Sequence, residues 1–259
     1  MLSQDSLERA ADAAGIHVPP RFLEETGSTN AVALELAAEG APEWLVVAAG
    51  HQTAGRGRLG RSWASAPGRS LLFSMILRPQ LPPERVPVIS LLAAAVMAEA
   101  CPPLQGGRVR TKWPNDLVGG PRKLGGLLPE GRVDGGVLRY LVLGVGVNVA
   151  LTTEGLPPDL RATATSLAME GAAAEPEELL GRFLSAFRGA YHPIDPDFGT
   201  HALARYRGTC DTIGRRVRAR STDGRVVEGR AAGLDPDGGL VIEDGGRHTV
   251  AFGEVAHLD

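Results

Sequence analysis

The sequence predicts an α/β body followed by a small all-β barrel, on three observations. Between residues 3 and 207, short apolar runs of strand type alternate with longer helical segments, without the even spacing of βαβ repeats. After Cys210, three turn signals crowd together: Thr222-Asp223-Gly224, Asp235-Pro236-Asp237-Gly238-Gly239 and Asp244-Gly245-Gly246, with β-rich runs between them. The length of 259 residues allows one large domain with a small companion. The boundary is expected near 210, giving units 1–209 and 210–259. A tail of about 50 residues is marginal alone and should lean on the body.

In chain order, residues 3–14 read as a short helix that stops at Gly15, ahead of Pro19-Pro20. Ser28 is placed to cap a second helix, Thr29–Glu39, with Gly40 at its C′ position. Trp44–Ala49 is a short buried strand. His51–Gly68 is a long polar loop, punctuated by glycines and carrying Arg56, Arg58 and Arg61; such loops in compact domains are functional or mobile. Leu71–Leu77 returns to strand. Glu84–Ala100 is a buried helix with Pro87 near its first turn. Arg108–Lys112 is a short strand ending at Trp113-Pro114, and Lys123–Leu128 and Leu138–Val149 are apolar strands. Pro176–Tyr191 and Asp197–Arg207 are helical. In the tail, strands are expected at Arg216–Ala219, Val226–Ala232, Leu240–Ile242 and Thr249–Phe252.

Composition excludes several classes. Apolar residues at 43% and charged residues at 22% suit a globular protein with a real core. A net charge of −3 argues against a chain built around nucleic acid. Cys101 and Cys210 are too few for a disulfide framework or a zinc site, which points to a reducing compartment, the cytoplasm. Met1–Ala10 has no apolar leader core, and the longest uncharged helical run, Val86–Ala98, is shorter than the roughly 18 residues of a membrane span.

Five segments could carry chemistry. Gly55-Arg56-Gly57-Arg58-Leu59-Gly60-Arg61 matches G-x-G-x-x-G, but no helix opens after it and no acid lies between Glu43 and Glu84, so a dinucleotide fold is disfavoured. Its arginines have no carboxylate in the same loop. They are a grip for phosphate or carboxylate, or a solvated basic loop. Lys112-Trp113-Pro114-Asn115-Asp116 is a turn that gathers Lys, Asn and Asp at a strand end, with Pro114 pushing Trp113 toward extended geometry. Lys123, before Gly125-Gly126, either meets a ligand or snorkels from a strand edge. Gly144 and Gly146 mark close approach within a strand, and a buried Asn148 would need partners. Thr26-Gly27-Ser28-Thr29-Asn30 offers donors and acceptors at a helix start. The histidines lack metal-ligand spacing, and no nucleophilic triad or P-loop ending is present.

Taken in order, Glu25–Asn30, Gln52–Arg58 with Trp63, Lys112–Asp116, Lys123–Gly126 and Gly144–Asn148 resemble biotin–protein ligase. The resemblance implies a central mixed β-sheet flanked by helices, class II synthetase-like, with a small SH3-like C-terminal barrel. It implies a two-step reaction: biotin and MgATP give biotinyl-5′-AMP, and a lysine of a biotin carboxyl carrier protein domain of acyl-CoA carboxylases then takes the biotinyl group. Ser28, Thr29, Asn30 and Gln52 would hold the biotin ring. Arg56, Gly57 and Arg58 would wrap its carboxyl end and the α-phosphate. Trp63 would pack on adenine, Lys112, Asn115 and Asp116 would line the nucleotide side, and Asn148 would sit near the adenylate. Lys123, with Arg58 and Asp116, would act at the reacting oxygens. Magnesium comes with ATP, and no protein-held metal is implied.

Two positions depart from the pattern. Gly125 stands where many members have Ala, and Pro129 is expected to end its strand early. Only 27 residues precede Ser28, where repressor members carry a DNA-binding domain of about 60 residues, so no DNA or membrane binding is expected. A lipoate-type ligase of the same fold and a biotin-sensing transcription regulator are the competing functions. The arginines of residues 205–230 either meet an acidic carrier domain or form a solvated face. Uncompensated arginines predict a loop, around residues 52–62, that is mobile when empty and closes over the adenylate.

Overall fold

The computed structural model describes residues 2–259. Helix α1 (Gln4–Ala13) is set by a capping box between Ser3 and Ser6 and buries Leu7, Ala10 and Ala11. Strand β1 (Arg21–Thr26) follows, then α2 (Thr29–Ala38) and β2 (Val46–Gln52). The predicted arginine loop contains a small hairpin, β3 (Gly55–Arg56) and β4 (Ser62–Trp63). Next come β5 (Ser70–Leu77), α3 (Val86–Ala100), β6 (Arg110–Lys112), β7 (Asp116–Gly119), β8 (Arg122–Asp134) and β9 (Val137–Asn148). Helices α4 (Pro176–Ala190) and α5 (Phe198–Thr209) complete the body.

The seven-stranded sheet has the order β1-β2-β5-β9-β8-β7-β6. Only β1 and β2 run parallel, joined across α2; every other neighbour is antiparallel, so the sheet is mixed. Strand alternation sorts its side chains between two cores. Leu71, Phe73, Met75 and Leu77 of β5 face the large core with α1, α3, α4 and α5. Ile76 faces the other way, with Val47 and Val142, against Ala33 and Ala37 of α2. Helices thus cover both faces, and β5 is buried along its whole length. In the large core Phe183 stacks on Phe187 and Phe187 on Tyr191, each pair with centroids 5.4 Å apart. Helix α3 is apolar all round because it lies between the sheet and helices α4 and α5.

The tail forms a five-stranded antiparallel sheet from β10 (Arg216–Ser221), β11 (Val226–Leu234), β12 (Leu240–Glu243), β13 (Arg247–Val250) and β14 (Gly253–His257), in the order β13-β12-β11-β10-β14. No helix among the described residues is long and apolar enough to cross a membrane.

Several expectations need correction. The buried helix starts at Val86, because Pro83–Arg85 form a separate 3-10 turn. The expected strand Thr249–Phe252 straddles a bend: β13 ends at Val250 and β14 begins at Gly253. Pro129 does not end its strand. It pairs with Leu143 inside β8, which runs on to Asp134. On the other side β7 pairs with β8 only as far as Gly126, and the Leu127 N–H faces Asn115 O. By the two-residue alternation, the N–H that Pro129 lacks would point to that unpaired side, where no ladder bond is lost.

Candidate functional site

A cleft of about 590 Å³ opens between the sheet, the arginine hairpin and the C-terminal barrel. Every residue to which the resemblance gives a role lines it.

One end is built on the start of α2. Ser28 makes no capping bond there, contrary to expectation. Gln52 of β2 caps the helix instead: its Oε1 accepts from Thr29 N at 2.7 Å and from Thr29 Oγ1 at 3.0 Å. The Ser74 hydroxyl lies within hydrogen-bond reach of Thr29 Oγ1, at 2.8 Å, and of Asn30 Oδ1, at 2.5 Å. Asn30 Nδ2 donates to Leu128 O at 3.1 Å and to Glu130 Oε2 at 2.7 Å. Asn30 is thus fully engaged within the protein. Gly144 makes room for it, since a Cβ at that position would lie 2.1 Å from Asn30 Oδ1.

The middle of the cleft holds charge. Lys123 Nζ sits 2.6 Å from Asp116 Oδ1 and 6.0 Å from the Trp63 ring centroid. Arg58 Nη1 donates to Asn115 Oδ1 at 3.0 Å and to the Gly253 carbonyl of the barrel at 3.1 Å. Burial pushes the Arg58 pKa below its usual value, with Asp116 and Glu254 opposing the shift. Asn115 is locked in turn, its Nδ2 donating to Leu127 O at 2.6 Å. The arginines are not uncompensated, as the loop alone suggested: Arg56 pairs with Glu130 at 3.1 Å and Arg61 with Glu254 at 2.5 Å. Their partners come from β8 and β14, which no local reading of the loop can reveal.

At the other end the Trp63 ring lies against Gly146, where a Cβ would approach Cε2 to 2.9 Å. Asn148 Nδ2 donates to Thr165 O at 2.9 Å. Asn148 Oδ1 and Trp63 Nε1 are buried without a partner among the described residues. Two polar atoms in this state are what a ligand with matching donors and acceptors would satisfy. Trp113, expected to be extended, precedes a cis peptide to Pro114 and is buried. Its Nε1 donates to Gly238 O and its backbone N to Thr212 Oγ1, both at 3.0 Å, so the Asn115-Asp116 turn is pinned to the barrel. His51 pairs with Glu25 at 3.1 Å, and no group of three or more metal-ligating residues occurs among the described residues.

Sequence reasoning missed Ser74, Glu130 and Glu254. Ser74 sits in an unbroken apolar run, Glu130 follows the proline expected to end its strand, and Glu254 belongs to a strand with almost no apolar signal.

Residues 22–148 match the Biotin/lipoate A/B protein ligase family, and residues 212–258 match the Biotin protein ligase C terminal domain. The biotin--[acetyl-CoA-carboxylase] ligase of Mycobacterium tuberculosis is 36% identical over 249 residues, 91% of this chain and 88% of its own length. The bifunctional ligase/repressor BirA of Bacillus subtilis is 34% identical over 227 residues, 86% of this chain and 68% of its own. The biotin protein ligase from Aquifex aeolicus in complex with biotin and ATP shares the fold, with a TM-score of 0.71 at 24% identity, covering 92% of this chain and 97% of that one.

Proposed function

This chain belongs to the biotin protein ligase family, and from that premise we propose that it adenylates biotin with MgATP and passes the biotinyl group to a lysine of a biotin carboxyl carrier domain. The carboxylate oxygen of biotin attacks the α-phosphorus of ATP, and pyrophosphate leaves with the bridging oxygen. The carrier amine then attacks the acyl carbon of biotinyl-5′-AMP, AMP leaves, and the amine gives up a proton.

One observation carries this reading: Arg58, held on Asn115, and Lys123, held on Asp116, share a cleft whose walls are an amide-and-hydroxyl cluster on α2 and an aromatic ring on Gly146. Two anions must meet for the first step, and their repulsion has to be offset by fixed positive charge. Cations already aimed at the reacting oxygens need no reorganisation when charge shifts in the transition state. Arg58 and Lys123 fill that role, with Arg56 and Gly57 closing over the carboxyl end. Asp116 keeps the Lys123 ammonium in place. Ser28, Thr29 and Gln52 bind the ureido ring, while Asn30 shapes their wall from behind. Trp63 stacks on adenine, and the free Asn148 Oδ1 accepts from the base or its sugar. Magnesium enters with ATP as part of the substrate, the phosphates supplying its oxygens.

The test is ATP-dependent transfer of biotin to a purified carrier domain, with Arg58→Ala and Lys123→Ala alongside and lipoate as competitor. Transfer by the parent, lost from both variants with folding retained, is the expected result. Full parental activity in both variants removes the site assignment, and preference for lipoate removes the substrate.

A further inference from the structure

The cleft holds more positive charge than a biotinyl adenylate can use. Arg56, Arg58, Arg61 and Lys123 line it from the loop and sheet. Lys112, Arg218 and Arg220 add to them, against two carboxylates in the lining, Asp116 and Glu254, and two behind it, Glu130 on Arg56 and Glu228 on Arg218. This occurs in a chain whose net charge is −3. The adenylate is a monoanion, and the Arg58–Lys123 centre already meets it. ATP, in contrast, carries most of its charge on the β- and γ-phosphates.

Two of the surplus cations share one strand of the barrel. Along β10, Val217 and Ala219 point into the barrel core, which turns Arg218 and Arg220 outward on the opposite face. Their β14 neighbours are Ala256 and Glu254, and all four residues line the cleft. Glu228 orients Arg218, and Glu254 is taken by Arg61. Lys112 and Arg220 are left without an ion pair among the described residues. The wall is also fixed relative to the reacting centre, because Arg58 bonds Gly253 O and Trp113 bonds Gly238 O.

We propose that Arg218 and Arg220, with Lys112, receive the β- and γ-phosphates of ATP and hold the departing pyrophosphate, an inference that rests on the adenylating reading above. As the bond from the biotin carboxylate oxygen to the α-phosphorus forms, the bond from that phosphorus to the α,β-bridging oxygen breaks. The electron pair leaves on the pyrophosphate, and the β10 arginines meet it there. Guanidinium forks suit this task, since they bond phosphate oxygens in pairs.

Biotin-dependent exchange of labelled pyrophosphate into ATP tests the proposal in Arg218→Ala, Arg220→Ala and Arg220→Lys. Both arginines are exposed, and urea unfolding of each variant checks the fold. Each alanine variant should raise the apparent KM for ATP and for pyrophosphate about tenfold, the loss expected for a charge-assisted bond. Arg220→Lys should recover part of it. Transfer from synthetic biotinyl-AMP to the carrier domain should stay within about twofold of the parent. Unchanged exchange constants overturn the proposal. So does a raised KM for the carrier with ATP unaffected, which would make this edge a protein-docking surface. No biotin-dependent exchange in the parent would overturn the adenylating reading itself, and this inference with it.

Discussion

Gly144→Ala puts the geometry behind α2 to a quantitative test. The new methyl carbon would lie 2.1 Å from Asn30 Oδ1, where a relaxed contact needs roughly 3.5 Å. Asn30 has to move by about 1 Å or more, and its three hydrogen bonds cannot follow. The bond to the Glu130 carboxylate contributes about 1.5–3 kcal/mol, and those to Leu128 O and Ser74 about 1 kcal/mol each. With partial relaxation of the strand, the expected destabilisation is about 2–4 kcal/mol. Urea unfolding followed by tryptophan fluorescence measures it. The decisive comparison repeats the substitution in an Asn30→Ala background, where the obstructing amide is gone. There the cost should fall below about 1 kcal/mol, a coupling expected of side chains in contact. An equal cost in both backgrounds would refute the steric argument.

Two further outcomes follow from the barrel contacts. Trp113→Phe keeps an aromatic ring but removes the donor to Gly238 O and part of the buried ring volume, so it should cost about 2–4 kcal/mol and speed hydrogen exchange in the β11–β12 turn; unchanged exchange there would deny the pin. His257 is held below its usual pKa chiefly by burial, with Lys112 and Arg215 adding to it, and Thr212 Oγ1 lies 3.1 Å from its Nε2. The unfolded chain therefore takes up the proton first as pH falls below about 6.5, so this residue's contribution is present above that pH and is lost on acidification. Thermal unfolding between pH 7 and 5 should show a shallower decline for His257→Gln than for the parent; parallel curves would contradict the assignment.

What could be read in advance, and what could not, divides along physical lines. The apolar runs at Leu71–Leu77 and Val86–Ala98 announce β5 and α3 because burial on every side leaves no polar residue to blur the signal. Strand β1 escaped because Arg21–Thr26 lies at the sheet edge and is half polar. Strand β7 was hidden in turn-forming residues. The segments that line the cleft were visible as local clusters of unusual residues. The contacts between them were not, since Arg56 reaches Glu130 and Arg58 reaches Gly253 across long stretches of chain. The charge state of the loop was therefore misjudged from its own residues.

The carboxamide of Gln52 closes the first turn of α2 from the neighbouring strand β2. That wall is held by bonds made within the protein itself, and the Ser28 hydroxyl is left out of the capping arrangement. An incoming ring would therefore spend little of its affinity on ordering the chain around it, which favours tight capture by a small, rigid molecule at low concentration.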